Sequence, residues 1–182
     1  TGWRLRGVTG IVPNDLFFQL LAQRQFPVTT WIRRPEQMDY LMEPDLFHDV
    51  FGHVPLLAQP QYAAFLQALG ELALPYMDNP LAIELLSRVY WFTIEFGLIR
   101  HGAQGLRIYG AGILSSPGES VFCLSRAVPR FRFNVPELFH APYINHRMQD
   151  RYFVIDGYDQ LFGGIAHLQH ALEQELALAQ GF

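Results

Sequence analysis

Two histidines five residues apart, His48 and His53, stand in the run Glu43-Pro44-Asp45-Leu46-Phe47-His48-Asp49-Val50-Phe51-Gly52-His53-Val54-Pro55. Neutral imidazole is the commonest protein ligand for a transition metal. Such a pair supplies two ligands of a metal site, and the third decides the chemistry. Another His or a Cys points to zinc, whereas one carboxylate with open coordination positions points to non-haem Fe(II) and oxygen. Glu95 is the carboxylate candidate, because Val89-Tyr90-Trp91-Phe92-Thr93-Ile94-Glu95-Phe96-Gly97-Leu98 surrounds it almost wholly with apolar and aromatic residues. Burying a carboxylate is costly unless it is paired, hydrogen-bonded or bound to metal. Plainer readings stand beside this one. His48 and His53 are also compatible with unrelated positions on a buried helix, and Glu95 with an ion pair to Arg88 or Arg100. His101 reads as a helix cap, His140 and His146 as loop residues, and His167 and His170 as a solvated helix face.

These residues need elements to position them. On a regular helix each residue turns about 100°, so His48 and His53 point about 140° apart. Val54 precedes Pro55, which pushes it out of the α region, and Gly52 adds backbone freedom. The helix that Pro44 opens is therefore expected to end or distort near His53, turning its ring toward His48. A helix hairpin would then bring in Glu95. Pro13-Asn14-Asp15 signals a helix carrying Leu16, Phe17, Leu20 and Leu21. Residues 26–33 read as extended, with Pro27 allowing only an edge strand. Residues 59–74 and 80–99 read as two longer helices on their apolar spacing. Residues 105–112 read as a short strand with turns, and Ser115-Ser116-Pro117-Gly118-Glu119 as a helix start. Residues 152–155 read as a strand and 158–180 as a final amphipathic helix. The fold class is mainly α with a few short β-strands.

Composition narrows the function. A length of 182 residues suits one domain, 1–182. A net charge of -4 with no basic block argues against nucleic acid and anionic membranes as partners. No apolar run approaches the roughly 18 residues of a membrane span. The single cysteine, Cys123, excludes an internal disulfide and fits a reducing, cytoplasmic setting. The chain opens at Thr1 without Met, as expected of a catalytic core lacking part of its natural N-terminus.

Three motifs carry a resemblance. They are Glu43-Pro44-Asp45 with His48 and Gly52-His53-Val54-Pro55; Tyr90-Trp91-Phe92-Thr93 with Glu95-Phe96-Gly97-Leu98; and Tyr109-Gly110-Ala111-Gly112-Ile113-Leu114-Ser115-Ser116. In order and separation the chain resembles the catalytic domain of the pterin-dependent aromatic amino acid hydroxylases, and most of all the bacterial phenylalanine hydroxylases. The resemblance implies that fold, with Fe(II) held by His48, His53 and Glu95. It implies that Asp45 and Ser115 orient those ligands, and that tetrahydrobiopterin or a related tetrahydropterin lies against Gly10, Ile11, Val12, Asn14 and Phe17, near Asp49 and Tyr90. Asp49 stands where animal enzymes carry Glu, a change bacterial members share. The substrate carboxylate falls to Arg33, its ring to Trp91 and Tyr40, with Ser115 alongside and Glu43 at the rim as a candidate catalytic acid. The implied activity is hydroxylation of free L-phenylalanine to L-tyrosine with O2 as co-substrate, in phenylalanine catabolism. Tryptophan 5-hydroxylation is the alternative on the same fold, although tryptophan enzymes usually carry Phe where Trp91 stands. A zinc-stabilised, non-catalytic binding domain is the alternative from another class. Lacking long terminal heptads, the chain is expected to be a monomer.

Overall fold

The computed structural model describes residues 1–38, 41, 43–143 and 145–181. The chain opens with β1 (Arg4–Val8), α1 (Asn14–Ala22) and β2 (Gln25–Thr29), and β1 pairs with β2 in parallel. Pro27 sits in a strand with one neighbour, where its missing N–H costs least. The extended segment is shorter than the sequence suggests, because residues 30–34 leave the sheet, and of these Arg33 turns into the cavity beside it.

Two longer helices form the body, α2 (Pro60–Ala73) and α3 (Pro80–Tyr90). Each starts on a side-chain cap followed by proline: Gln59 accepts the Tyr62 N–H, and Asn79 accepts the Ala82 N–H. Their apolar stripes pack with α1 in one core that includes Phe18, Leu21, Phe65, Leu66, Leu69, Leu86 and Val89.

The helix expected to run to residue 99 does not. Beyond α3 the chain makes a widened turn and enters β3 (Gly97–Arg100). Gly97 permits this close passage, since a Cβ there would lie 2.2 Å from the Thr93 carbonyl oxygen and from the Tyr109 ring. There follow β4 (Leu106–Ile108), α4 (Ala111–Leu114), α5 (Pro117–Phe122), β5 (Arg130–Arg132), α6 (Val135–His140) and β6 (Tyr152–Ile155). One four-stranded sheet results, in the order β4-β3-β6-β5, with β4 antiparallel to β3 and the other pairs parallel. The last helical stretch divides at Gly164 into α7 (Tyr158–Gly163) and α8 (Ile165–Gln180). Strands β1 and β5 and helix α6 lack the period that would announce them: β1 is mostly exposed, and the others are short. Among the described residues no helix is long and apolar enough to cross a membrane.

Candidate metal centre and its cavity

Both ligand-bearing helices cease to be α-helical where the ligands begin. Leu46 and Phe47 start a turn that continues as a π-helix over His48–His53. In a π-helix bonding runs from i to i+5, so His53 follows His48 by about one turn. Helix α3 widens in the same way into the π-helical turn Trp91–Glu95, where the Phe96 N–H donates to the Trp91 carbonyl at 2.8 Å. Such turns recur at functional sites.

The expected distortion is present, but its cause differs. Val54 stays helical (φ −58°, ψ −43°), and the chain passes directly into a 3-10 turn, Val54–Ala58, with Pro55 near its start. The pre-proline clash disfavours this conformation without forbidding it, and burial of the His53 ring anchors the turn. Gly52 has no positive φ, and serves close approach instead of backbone freedom. A Cβ on it would stand 2.7 Å from the Ala111 Cβ. A Cβ on Gly110 would stand 2.4 Å from the Glu95 carbonyl oxygen. The two glycines let the start of α4 press against both ligand turns.

There the three side chains converge. His53 Nε2 lies 3.0 Å from Glu95 Oε1, His48 Nε2 lies 3.5 Å from Glu95 Oε2, and the two Nε2 atoms are 3.1 Å apart. Ligand atoms roughly 2.1 Å from an ion and at right angles to one another stand roughly 3 Å apart, so the donor set fits one cation. The tautomer of His48 agrees. The Ser115 hydroxyl donates to the Ala111 carbonyl at 2.9 Å, so at 2.8 Å its oxygen accepts the His48 Nδ1 proton. That leaves the lone pair of neutral His48 on Nε2, facing the other ligands. Burial lowers the pKa of His48, against the pull of Glu95, and favours that neutral form. Burial would raise Glu95, but His53 and His48 overcome it and, with the Tyr90 hydroxyl, hold its carboxyl at about 2. His53 is held differently. Its Nδ1 is buried with no partner among the described residues, and its ring packs 4.6 Å from that of Phe26.

Arg33 and Asp45 brace the centre. Asp45 Oδ1 accepts from Arg33 Nε (3.0 Å), Arg33 Nη2 (2.7 Å) and the His48 N–H (3.0 Å). Its Oδ2 accepts the Arg33 N–H at 2.7 Å, and Arg33 Nη1 donates to the Ser115 carbonyl at 2.7 Å. Burial opposes ionisation of Asp45, and these bonds from Arg33 and His48 outweigh it, so its pKa falls. Arg33 thus ties both supports of His48 together and still reaches the cavity.

That cavity, of about 310 Å³, gathers most of the residues singled out in the sequence. Gly10, Ile11, Val12, Asn14, Phe17, Asp49 and Tyr90 line it, as do Arg33, Glu43, Trp91, Ser115 and the triad. Phe17 packs edge-on against Tyr90, with ring centroids 4.9 Å apart. Asp49 is committed to the end of β2, accepting from the Thr29 N–H at 2.7 Å and the Thr29 hydroxyl at 2.8 Å. Asp45 lies behind the wall, fully buried. Tyr40 falls outside the described residues. The alternatives for Glu95 are taken elsewhere: Arg88 pairs with Glu84, and Arg100 with Asp156. His140 closes α6 and pairs with Glu175, His101 follows β3, and His167 and His170 are exposed on α8. Sequence reasoning missed Thr29, Tyr143 and Glu119, which also line the cavity. Glu119 carried a signal as the acid of a helix first turn, but that position is ordinarily solvated.

Fold and site together define a mainly helical domain with a candidate two-histidine, one-carboxylate metal centre inside an aromatic cavity. Residues 1–180 match the family model described as biopterin-dependent aromatic amino acid hydroxylase, and the chain belongs to that family. It is 49% identical over 181 residues to the phenylalanine-4-hydroxylase of Chromobacterium violaceum, covering 99% of this chain and 60% of that protein. It is 52% identical over 163 residues to the phenylalanine-4-hydroxylase of Ralstonia nicotianae, covering 89% of this chain and 51% of that one. The chain therefore spans about half to three-fifths of these relatives. Its structure matches that of the Chromobacterium enzyme with bound iron(III) and oxidised 7,8-dihydrobiopterin at a TM-score of 0.87 and 47% identity, covering 98% of this chain and 64% of that one.

Proposed function

We propose that this chain is a single catalytic domain that hydroxylates free L-phenylalanine to L-tyrosine, using iron, a tetrahydropterin and O2. The observation that carries the reading is the convergence of His48, His53 and Glu95 within one cavity that also holds Arg33 and Trp91. The names of the relatives support phenylalanine over tryptophan, as does Trp91 itself.

His48, His53 and Glu95 would hold Fe(II). Bound there, the metal would activate O2, with the tetrahydropterin supplying two electrons for its reduction and the substrate ring taking up one oxygen atom. The chain's own residues do the rest. Ser115 keeps the His48 lone pair on Nε2. Among the described residues Arg33 Nη1 and Nη2 each keep one N–H unpaired, and these grip the substrate carboxylate in the planar geometry a lysine lacks. Trp91, backed by Phe96 at 4.6 Å and Tyr143 at 5.0 Å between ring centroids, gives the substrate ring an aromatic wall. Gly10, Ile11, Val12 and Asn14, with Phe17 and Tyr90, offer a flat, partly aromatic face to the pterin, and a Cβ on Gly10 would meet no atom within 4 Å. Asp49 shapes that face through Thr29, and Glu43 stands at the exposed mouth. We further propose a cytoplasmic monomer; light scattering behind gel filtration tests the oligomeric part.

The test is product identification after incubating the protein with phenylalanine, Fe(II), O2 and a tetrahydropterin. Tyrosine is expected from wild type and not from Glu95→Ala, and phenylalanine is expected to outcompete tryptophan. Tyrosine formation that persists without iron and pterin sinks the proposal. Tight zinc with no turnover would establish the binding-domain alternative.

A further inference from the structure

Glu119 is a buried acid that the proposed reaction leaves unused. It follows the cap of α5, where the Ser116 hydroxyl accepts its N–H, and its side chain turns inward instead of to solvent. Its Oε1 accepts the Gln149 N–H at 3.0 Å and the Tyr152 hydroxyl proton. Gln149 Oε1 in turn accepts the Trp91 indole N–H at 2.9 Å. Glu119, Gln149 and Tyr152 are all buried, so water does not substitute for these bonds. The connection joins α5, the irregular segment before β6, and the π-helical turn that ends on Glu95. That segment also carries Tyr143, whose ring backs Trp91.

We propose that Glu119 is a positioning residue that sets the orientation of the Trp91 ring through Gln149, and so tunes how the cavity binds an aromatic ring. An indole has a single polar handle, its N–H, and packing alone leaves such a ring free to rock about it. Phe96 and Tyr143 pack against the ring at tilted angles of 37° and 38°, while Gln149 fixes its N–H edge. Glu119 holds the Gln149 backbone in place, with Tyr152 of β6 as its own brace. The second Glu119 oxygen is buried with no partner among the described residues, and burial raises the pKa of this carboxyl. Retaining so poorly solvated an acid is costly, which argues that its shape and its accepting oxygen serve a purpose. Gln offers the same accepting oxygen without the charge, and Met fills the same space without it.

The inference rests on Trp91 as the aromatic wall, and its test has a readout independent of turnover. In metal-free protein the chain's three tryptophans give separate indole N–H resonances, and Trp91→Phe assigns the relevant one. Glu119→Met is expected to shift the Trp91 resonance and speed its hydrogen exchange by up to about tenfold, the effect of losing one buried hydrogen bond once Gln149 is no longer held against the indole. It is also expected to raise KM for phenylalanine by more than it lowers kcat, and Glu119→Gln to restore both properties. Gln149→Met removes the acceptor at the indole without touching Glu119, and is expected to reproduce the shift and the KM change if Glu119→Met does not fold. An unmoved Trp91 resonance in folded Glu119→Met or in Gln149→Met overturns the proposal, as does failure of Glu119→Gln to restore it. The resonance needs neither metal nor substrate, so it responds to Glu119 in the same way whether or not the chain hydroxylates phenylalanine.

Discussion

At the scale of single residues, the two histidines are supported unequally, and this has measurable consequences. Ser115 fixes His48, whereas His53 relies on burial and on Phe26. Removing a hydrogen-bond partner behind a metal-ligating histidine typically costs about 10- to 100-fold in metal affinity. Ser115→Ala should weaken metal binding by about that factor, since His48 then loses its tautomer lock while its backbone stays tied to Asp45. Anaerobic Co(II) or Fe(II) titration measures this, and an affinity within twofold of wild type would remove Ser115 from the site's support. Glu119 yields a pH prediction. Burial raises its folded-state pKa above the ordinary 4.5, despite bonds from Tyr152 and Gln149. The folded chain therefore keeps this proton to higher pH than the unfolded chain does. The contribution of the neutral acid is complete below about pH 4.5 and is lost as pH rises through the folded-state value. Glu119→Gln does not titrate, so its stability relative to wild type should improve as pH climbs across that window. Urea unfolding of both proteins at several pH values tests the sign, and a difference that stays flat counts against a neutral buried Glu119.

At the scale of elements, the ligands depend on how closely α4 approaches them. Gly→Ala within a helix ordinarily gains roughly 1 kcal/mol from propensity. At Gly52 the new methyl would meet the Ala111 Cβ, Cα and carbonyl oxygen at 2.7, 2.9 and 3.0 Å. Two of those atoms are backbone and cannot swing aside, and overpacking typically costs about 1–3 kcal/mol. The contact is with backbone, so the cost falls in the upper part of that range, and Gly52→Ala should destabilise by a net of up to about 2 kcal/mol and weaken metal binding, because α4 leads directly to Ser115. A variant as stable as wild type in urea would show that the two turns are not in forced contact. This approach was only half legible in the sequence. The H-x4-H spacing announced a distortion, but a π-helical turn and a terminated helix leave the same trace in a short apolar run. The strand Gly97–Arg100 was hidden for a related reason. Flanked by a helix and buried at its start, Gly97-Leu98-Ile99 shows no alternation to distinguish it from another helical turn. The helix starts at Pro13 and Ser116 were legible because each signal acts on residues beside it in the chain, whereas the Asn79 cap went unread.

At the scale of the whole molecule, what was legible followed the chemistry more than the topology. His48 and His53 stood out as a close imidazole pair among acids, and Glu95 as a carboxylate in apolar surroundings that only a partner relieves. The partnerships of Glu119 with Gln149 and of Trp91 with Gln149 span 30 and 58 residues, and nothing local encodes them. The fold brings together three acceptors that repel one another unless a proton or a cation lies among them, and this ties metal to stability. An ion at about 100 times its Kd adds about 2.7 kcal/mol, and a chain of this size gains roughly 2–4 °C per kcal/mol. Adding Fe(II) anaerobically to chelator-treated protein should therefore raise Tm by about 5–10 °C. The rise should shrink only at a pH below the ordinary imidazole value of 6.5, because binding requires neutral His48 and burial lowers its pKa. Zinc should also raise Tm, since the same lone pairs receive it, so the thermal shift reports the site and not the identity of the metal. Glu95→Ala should lose most of the rise, because two imidazoles alone leave the ion without its third ligand and the one carboxylate within ligating reach. A full rise in that variant, measured by differential scanning fluorimetry, would place the ion elsewhere in the chain.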